Sequence, residues 1–173
     1  GALKARMPYQ TNKDLRNSIN AGMISYHDVP LGQMPVWVKN NFLKHIDVAI
    51  IEAAAIDENG NIIPTTSVGT SNIYAEYADK IIIEVNTYVP RCIEGIHDVY
   101  SPERPPHTQP IPITKVSDRV GTTYIKCDPA KVVAVVESNI PDNGRTVSPV
   151  DDEFRSMANN LIGFLHSEVE HGS

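Results

Sequence analysis

The sequence has few of the residues that build disulfide frameworks, metal centres and membrane spans. It contains two cysteines, Cys92 and Cys127, whose spacing is not that of a metal site, so free thiols in a reducing compartment are expected. No apolar run approaches the ~20 residues that span a bilayer, and the first residues lack the apolar core of a secretory signal. The 6 histidines include no His-x3-His pair. We therefore predict no metal site and no membrane partner.

Positive charge is also scarce, since 15 Lys and Arg residues face 21 Asp and Glu residues and the net charge is −6. An acidic chain is a poor match for a polyanion, and we predict no nucleic-acid partner. The 173 residues are 41% hydrophobic and 21% charged, which is typical of a globular protein and not of a disordered one. One domain with a genuine core is expected.

The most informative segment runs from Asp47 to Ser71. Its β-branched apolar run Val48–Ile51 predicts a strand covered on both faces. Asn59-Gly60 predicts a hairpin turn with positive φ at both central positions, followed by a short second strand. The small residues of Ser67–Ser71 would let a ligand approach the backbone, and a helix starting there would aim free N–H groups at it. The segment therefore predicts a ligand-facing edge of an α/β sheet.

The rest of the chain alternates between helical and strand patterns. A helix is predicted from Thr11, its expected cap, to Ala21. A second helix, 71–80, leads directly into a buried strand, and this strand–helix–strand order predicts a parallel pair with a crossover. The prolines of 90–121 predict an extended surface excursion. Buried strands are predicted at 81–85 and 132–136, and a short strand at 122–127.

The last predicted element is an amphipathic helix. Ser148, Pro149 and the acidic run Asp151–Glu153 form its expected N-terminus, because carboxylates favour the positive end of a helix. The polar segment 140–148 predicts a linker before it. The apolar residues of the helix fall on one stripe, namely Phe154, Met157, Ala158, Leu161, Ile162, Leu165 and Val169.

Two kinds of candidate site residue follow from this layout. The Ser67–Ser71 loop lacks the P-loop and dinucleotide patterns, and it is either a ligand-contacting loop or a plain turn. Glu52 and Glu84 lie near the ends of buried strands, where α/β sheets place functional groups. Each either binds a substrate or orders a loop by accepting backbone N–H bonds. Glu52 is the better functional candidate because it neighbours the hairpin.

The remaining reactive side chains have plainer explanations. His97 and Asp98 are adjacent, and adjacent residues of a strand point to opposite faces, so a structural or ligand-orienting pair is favoured over a catalytic one. Cys92 and Cys127 lack the local context of a nucleophile, and we expect both to be buried and inert.

Seven segments, in order, resemble the acetyl-CoA hydrolase/transferase family, which includes succinyl-CoA:acetate CoA-transferases. The resemblance as a whole extends over nearly the whole chain from about Arg6 onward. The matching segments are Asp47–Ile56, Ile62–Gly69, Ala78–Asn86, Glu94–Tyr100, Asp118–Thr122, Cys127–Glu137 and Leu161–Val169.

The resemblance implies an α/β fold with a mostly parallel sheet and flanking helices, equivalent to half of a class I CoA-transferase fold. Residues 1–147 would be the later part of the N-terminal domain, and 148–173 a helix leading toward a second domain that is missing here. The family's nucleophilic glutamate lies in that second domain, so we expect it after Ser173 and assign no catalytic residue within the chain. Glu76, in a superficially similar Tyr-x-Glu, is rejected because its position is wrong.

The implied reaction moves CoA between acetyl-CoA and a small carboxylic acid such as succinate through a glutamyl-CoA thioester, or hydrolyses acetyl-CoA. Coenzyme A is then a substrate, and no tightly bound cofactor is implied. Arg119 would pair with a substrate carboxylate, with a structural ion pair as its alternative. The implied substrate-binding residues are Ser67, Val68, Gly69, Thr70, Ser71, Glu52, His97 and Arg119.

Other interpretations stay open at this point. The resemblance implies a homodimer in the cytoplasm, or in the mitochondrion of a eukaryote. A catalytically empty, stand-alone relative that binds an acyl-CoA or a protein is the alternative, and fold analogy alone would allow a sugar-phosphate isomerase relative. Gly1 is either a remnant of cloning or an interior residue of a longer polypeptide.

Overall fold

The computed structural model of the chain describes residues 3–7, 12–142 and 148–171. The chain divides into two compact units, Gly1–Asp142 and Asn143–Ser173. The first unit has an α/β fold, and the second contains one long helix. The strands are β1 (Ala5–Arg6), β2 (Ser25–Tyr26), β3 (Val48–Ala53), β4 (Ala55–Ile56), β5 (Ile62–Ile63), β6 (Lys80–Asn86) and β7 (Val132–Ser138). The helices are α1 (Lys13–Asn20), α2 (Met34–Lys39), α3 (Ser71–Tyr77) and α4 (Asp152–Glu170).

The centre of the first unit is a three-stranded parallel sheet in the order β3–β6–β7. Helix α3 makes the crossover between β3 and β6, so the predicted parallel pair is confirmed. Strand β7 pairs with the other edge of β6, and a register shift follows Ile81. The prediction that 132–136 is a buried strand is wrong, because β7 is an edge strand of this sheet and Val133 and Val135 are each 55% exposed. Because all three strands run the same way, their carboxyl ends meet at one edge of the sheet.

One face of this sheet carries the hydrophobic core. Ile51, Ile81 and Ile83 point into it and are fully buried, together with Ala75 and Ala78 at the crossover helix. The opposite face is open: Val48 is 45% exposed and Ile50 71% exposed. The prediction that Val48–Ile51 is covered on both faces is therefore wrong within the described residues. The strand alternates with period two between a packed and an open face.

The ends of α1 differ from their prediction by one residue. Asn12 is the N-cap, and its side chain accepts a 3.0 Å hydrogen bond from the backbone N–H of Leu15. Thr11, the predicted cap, lies outside the described residues. The helix ends before Gly22, whose φ of +71° is left-handed and suits glycine.

The predicted hairpin forms between β4 and β5, but its turn is of another kind. Gly60 has a φ of +82°, whereas Asn59 does not have positive φ, so the prediction of two left-handed positions is wrong. The carboxylate of Asp57 closes the turn instead. It accepts hydrogen bonds from the backbone N–H of Asn59 at 2.9 Å and of Asn61 at 2.8 Å, an arrangement typical of aspartate in turns.

Two further predictions are corrected here. Residues 122–127 form no continuous strand, because only Thr122 and Ile125 make isolated antiparallel bridges, with Val99 and Ile62 respectively. Cys127 is buried as expected, but Cys92 is exposed, since it lies in the short surface 3-10 turn Arg91–Ile93. Both thiols are free.

The second unit is built around α4. Asp151 caps it, with its carboxylate accepting a 2.9 Å hydrogen bond from the N–H of Phe154, and acidic residues fill the first turn as predicted. The large side chains of the apolar stripe are exposed, Leu161 and Ile162 among them. No helix in the described part of the chain has the length and apolar character needed to cross a membrane.

Candidate functional site

Glu52 stands near the carboxyl end of β3, on the open face of the sheet. Its register partner on β6 is Glu84, so the two carboxylates project from the same face at the same level. The Asn86 side-chain amide donates a 2.7 Å hydrogen bond to Glu52 Oε1. The Thr65 hydroxyl donates a longer bond, 3.3 Å, to Oε2. Glu52 is exposed, yet both of its oxygens are held by neighbours from other segments.

Asn86 is the residue that joins this edge together. Its side chain is buried, with 3% of the residue exposed, at the end of β6. The amide nitrogen donates to Glu52 and, at 2.8 Å, to the carbonyl of Ile140 beyond β7. The amide oxygen accepts from the N–H groups of Ile140 and Tyr88, each at 3.1 Å. The ends of three strands are therefore fixed to one another by a single side chain.

The Ser67–Ser71 loop connects this edge to α3. Gly69 has a φ of +54°, a backbone conformation that suits glycine. The N–H of Ser71 donates to the carbonyl of Val68 at 3.1 Å, and Val68 itself packs against the core. Thr70 is the N-cap residue and makes no side-chain capping bond. Ser67 and Gly69 are exposed, and a helix of seven residues follows the loop. The ligand-contacting role of the loop stays a prediction.

His97 and Arg119 lie in a second group, where two loops pair. Arg119 Nη1 donates to the carbonyls of Gly95 at 2.8 Å and His97 at 3.0 Å. These are the hydrogen bonds of this guanidinium within the described residues. Backbone carbonyl groups therefore hold Arg119 in place, and no carboxylate does so in this part of the chain. His97 Nε2 is buried without a hydrogen-bond partner in the same part of the chain.

Asp98 has a different task from its neighbour His97. Its carboxylate accepts from the N–H of Gly121 at 2.6 Å and from the N–H of Val120 at 3.2 Å. Gly121 must be small here, because a Cβ at this position would lie 2.0 Å from the carbonyl oxygen of Val99. Asp98 is therefore a loop-ordering residue, which agrees with the structural alternative for the His97–Asp98 pair.

The predicted residues thus form two groups. Glu52 is hydrogen-bonded to Thr65, which precedes the Ser67–Ser71 loop by two residues, and the backbone carbonyl of His97 is hydrogen-bonded to Arg119. No hydrogen bond joins the two groups within the described ranges. The larger cavities lie elsewhere: one of about 530 Å³ faces α3 and Lys126, and one of about 680 Å³ lies against Val48 and Ile50.

One set of potential metal ligands occurs in the described part of the chain. The donor atoms of His45, Asp47 and Asp79 lie within 4.8 Å of one another, and all three residues are exposed. His45 Nε2 and Asp79 Oδ2 form an ion pair at 2.8 Å. The hydrogen bond to Asp79 is the main reason that the pKa of His45 is raised above its usual value. The His45–Asp79 ion pair explains why these donor atoms lie close together. The absence of a metal site stays a prediction.

Comparison with known proteins decides the family. The family model described as the acetyl-CoA hydrolase/transferase N-terminal domain matches residues 2–137. The chain belongs to this family. Its β3–α3–β6 crossover and the polar edge around Glu52 are therefore features of an acetyl-CoA hydrolase/transferase N-terminal domain.

Named relatives in this family act on CoA thioesters. The chain is 42% identical over 172 residues to the succinyl-CoA:acetate CoA-transferase of Clostridium kluyveri, covering 99% of this chain and 32% of that protein. It is 42% identical over 176 residues to the acetyl-CoA hydrolase of Schizosaccharomyces pombe, covering 98% and 34%. The propanoyl-CoA:succinate CoA transferase of Escherichia coli is 37% identical, with 99% and 35% covered. The chain thus spans about a third of the length of the curated relatives it matches.

Solved structures support the fold. RipA from Yersinia pestis superposes with a TM-score of 0.56 at 19% identity, covering 90% of this chain and 31% of that one. The structure of a RipA mutant gives a TM-score of 0.58 at 18% identity, with 92% and 31% covered. At this level of identity the likeness establishes a shared architecture.

Sequence reasoning identified Glu52 but missed the two residues that hold it. Asn86 directly follows the predicted strand 81–85, and Thr65 follows β5. Because parallel strands end at the same edge, a polar residue immediately after the second strand was a usable signal for Asn86. Thr65 gave no comparable signal, since its approach to Glu52 depends on how the hairpin folds back.

Proposed function

We propose that this chain is the part of an acyl-CoA:carboxylate CoA-transferase or acetyl-CoA hydrolase that forms one wall of the substrate pocket. The chain's membership of the acetyl-CoA hydrolase/transferase family carries the proposal, with relatives named for acetyl-CoA, propanoyl-CoA and succinyl-CoA. In this proposal the nucleophilic glutamate is supplied by a segment other than residues 1–173. The described residues bind and orient the substrate.

The proposed reaction passes through two covalent steps on that glutamate. Its carboxylate attacks the thioester carbonyl, the C–S bond breaks, and the CoA thiolate leaves behind an acyl–glutamyl anhydride. The thiolate then attacks the glutamyl carbonyl, which releases the donor acid and forms a glutamyl-CoA thioester. An acceptor carboxylate reverses these steps to give the new acyl-CoA, whereas water releases free CoA and regenerates the glutamate. Splitting one transfer in this way lowers each barrier.

Glu52 is suited to orient the substrate rather than to attack it. Its two oxygens accept from Asn86 and Thr65, which holds the carboxylate in one place. An ionised carboxylate has further lone pairs, and the exposed side of Glu52 can accept a hydrogen bond from a donor. The amide N–H groups of the pantetheine arm of CoA are such donors. A carboxylate substrate would be repelled by Glu52 and Glu84 and needs a cation.

Arg119 is the proposed cation for that substrate carboxylate. Nη1 is fixed by the carbonyls of Gly95 and His97, and the residue is exposed. The remaining guanidinium N–H groups form a fork that matches a carboxylate. His97 would act through this arrangement by positioning Arg119. The open backbone of Ser67–Ser71 would let the acyl group approach closely.

Activity of the polypeptide that contains this sequence tests the proposal. We expect acetyl-CoA to be consumed in a succinate-dependent reaction by the product of the complete reading frame, and no transfer by residues 1–173 alone. Replacing Glu52 by Gln should lower kcat/KM by about tenfold to a hundredfold, as for other losses of substrate positioning. Glu58→Gln, at an exposed turn position, is the matched control and should leave kcat/KM unchanged.

Transfer by residues 1–173 alone, abolished by changing a glutamate within them, would disprove the placement of the nucleophile. Calorimetric binding of acetyl-CoA without turnover by the complete product would instead favour a catalytically empty, acyl-CoA-binding relative. A homodimer in the cytoplasm or mitochondrion remains part of the proposal. Sedimentation of the active protein tests whether it is a homodimer. Fractionation of the source cells tests whether it lies in the cytoplasm or the mitochondrion.

A further inference from the structure

Lys39 is a buried cation without a buried acid. Only 8% of the residue is exposed, at the last position of α2. Its ammonium group donates to Ser101 Oγ and to the carbonyl of Pro102, both at 2.7 Å. Both acceptors are neutral, and within the described residues no carboxylate oxygen lies within the 4.0 Å of an ion pair with Lys39. An ammonium has three donors, so one remains for another partner.

This arrangement is costly unless a negative group completes it. Burying a charge without a counter-charge is strongly unfavourable, and native structures pair such groups. The carbonyls at the end of α2 favour a cation there, but this effect is worth only a fraction of a full ion pair. The buried ammonium therefore indicates an anionic partner close to Ser101 and Pro102.

A cavity of about 80 Å³ lies at the required place. Lys39, Pro102 and Arg104 are among the residues that line it, so two cationic residues border one cavity. Arg104 is itself held by Tyr77, whose hydroxyl accepts from Nη2 and whose ring centroid lies 5.6 Å from the guanidinium carbon. Since one water needs roughly 10–15 Å³ of such space, the cavity has room for an anion of a few heavy atoms.

We propose that this cavity binds a small carboxylate of the size of acetate. A planar carboxylate can accept from the third N–H of Lys39 and from the guanidinium fork of Arg104 at the same time, which a spherical anion cannot do as well. The site rests on α2 and the 101–105 loop, and it does not depend on the transferase function proposed above. Binding of the carboxylate would fix the proline-rich loop against α2.

Glu103 also borders this site, because it is one of the residues that line the cavity. Its carboxylate makes no ion pair with Lys39 or Arg104 within the described residues. A negative charge this close to the cavity would repel an incoming anion. Removing its charge should therefore strengthen binding of the carboxylate.

A titration of residues 1–173 with sodium acetate tests the site, with the backbone ¹H–¹⁵N shifts of residues 36–40, Ser101, Glu103 and Arg104 as the readout. We expect saturable shifts with a Kd on the order of millimolar, against no saturable shift with sodium chloride at equal ionic strength. Lys39→Met should weaken binding by about tenfold or more. Because that substitution is buried, Arg104→Gln provides a second variant, at an exposed side chain, with the same expectation.

Two further variants make the result decisive. Lys44→Met removes an exposed lysine five positions away and should bind acetate like the unaltered chain. Glu103→Gln should bind it more tightly. The proposal is overturned if the acetate shifts do not saturate, if chloride gives the same shifts, or if Lys39→Met and Arg104→Gln both bind acetate as the unaltered chain does.

Discussion

The side-chain amide of Asn86 donates a 2.7 Å hydrogen bond to the carboxylate of Glu52 and ties the carboxyl ends of two parallel strands together. The same buried amide group also makes three hydrogen bonds to the backbone at Ile140 and Tyr88. Asn86 thus couples the stability of the sheet edge to the orientation of the best candidate for substrate contact. Changes at Asn86 should affect both.

Asn86→Leu should destabilise the chain by about 2–4 kcal/mol. Leucine keeps the volume but removes four hydrogen bonds of the buried amide, those to Glu52, to the N–H and C=O of Ile140 and to the N–H of Tyr88, and a hydrogen bond contributes about 0.5–1.5 kcal/mol. Urea unfolding measures the loss. Asn139→Leu, at an exposed residue with a single hydrogen bond to Thr87, is the control and should cost under about 1 kcal/mol. Equal losses for the two variants would show that the buried amide network has no special weight.

Gly121→Ala should disrupt the pairing of the 95–99 and 119–122 loops. The new Cβ would lie 2.0 Å from the carbonyl oxygen of Val99, and backbone must move to make room. We expect a loss of roughly 2–4 kcal/mol in the free energy of unfolding, with faster amide exchange at Val99. Gly32→Ala is the control, since nothing lies within 4 Å of its Cβ position. A stable variant with unchanged exchange would refute this account of Gly121.

The hairpin turn should lose part of its stability in acid. Hydrogen bonding from the Asn61 side chain, with the backbone N–H groups of Asn61 and Asn59, lowers the pKa of Asp57. A lowered folded pKa gives a stabilisation that is present above the unfolded value near 3.9 and is lost as pH falls through the folded value. Asp57→Asn should therefore cost about 1 kcal/mol or less at pH 7. In urea titrations at several pH values this cost should shrink as the pH falls below the unfolded value, and a cost that stays constant there would contradict this account.

The sequence predicts features that depend on neighbouring residues, and it does not predict contacts between residues far apart in the chain. The strand at Ile81–Val85 and the crossover helix were predicted because their signals lie within single elements. The bond from Asn86 to Glu52 spans 34 residues, and that from Gly121 to Asp98 spans 23. No local pattern specifies such contacts, because they form only when separate segments dock.

The open face of β3 was missed for a related reason. A run of β-branched residues indicates an apolar strand, but it does not indicate which neighbouring elements cover each face of that strand. Ile50 is apolar and 71% exposed because α3 and its core lie on the opposite face. By contrast, the Asp57 turn was within reach of the sequence. An aspartate two residues before Asn59 is a recognised turn signal.

The ion pair of His45 and Asp79 gives the last prediction, which is a dependence on pH of opposite sign to that of Asp57. The hydrogen bond to Asp79 is the largest cause of the raised pKa of His45, and the charge of Asp47 is the smallest of those that raise it. Asp79→Asn should therefore lower the pKa of His45 clearly, as measured by NMR titration of its ring protons. Asp47→Asn, the matched control, should lower it less.

The raised pKa of His45 in the folded chain also determines the pH range over which the His45–Asp79 ion pair stabilises the fold. Its contribution is complete below the unfolded pKa of histidine, about 6.5, and is lost as pH rises through the folded value. The difference in stability between the unaltered chain and Asp79→Asn should accordingly narrow from pH 6 to pH 9. A larger shift in the pKa of His45 with Asp47→Asn than with Asp79→Asn would mean that the hydrogen bond is not the main cause.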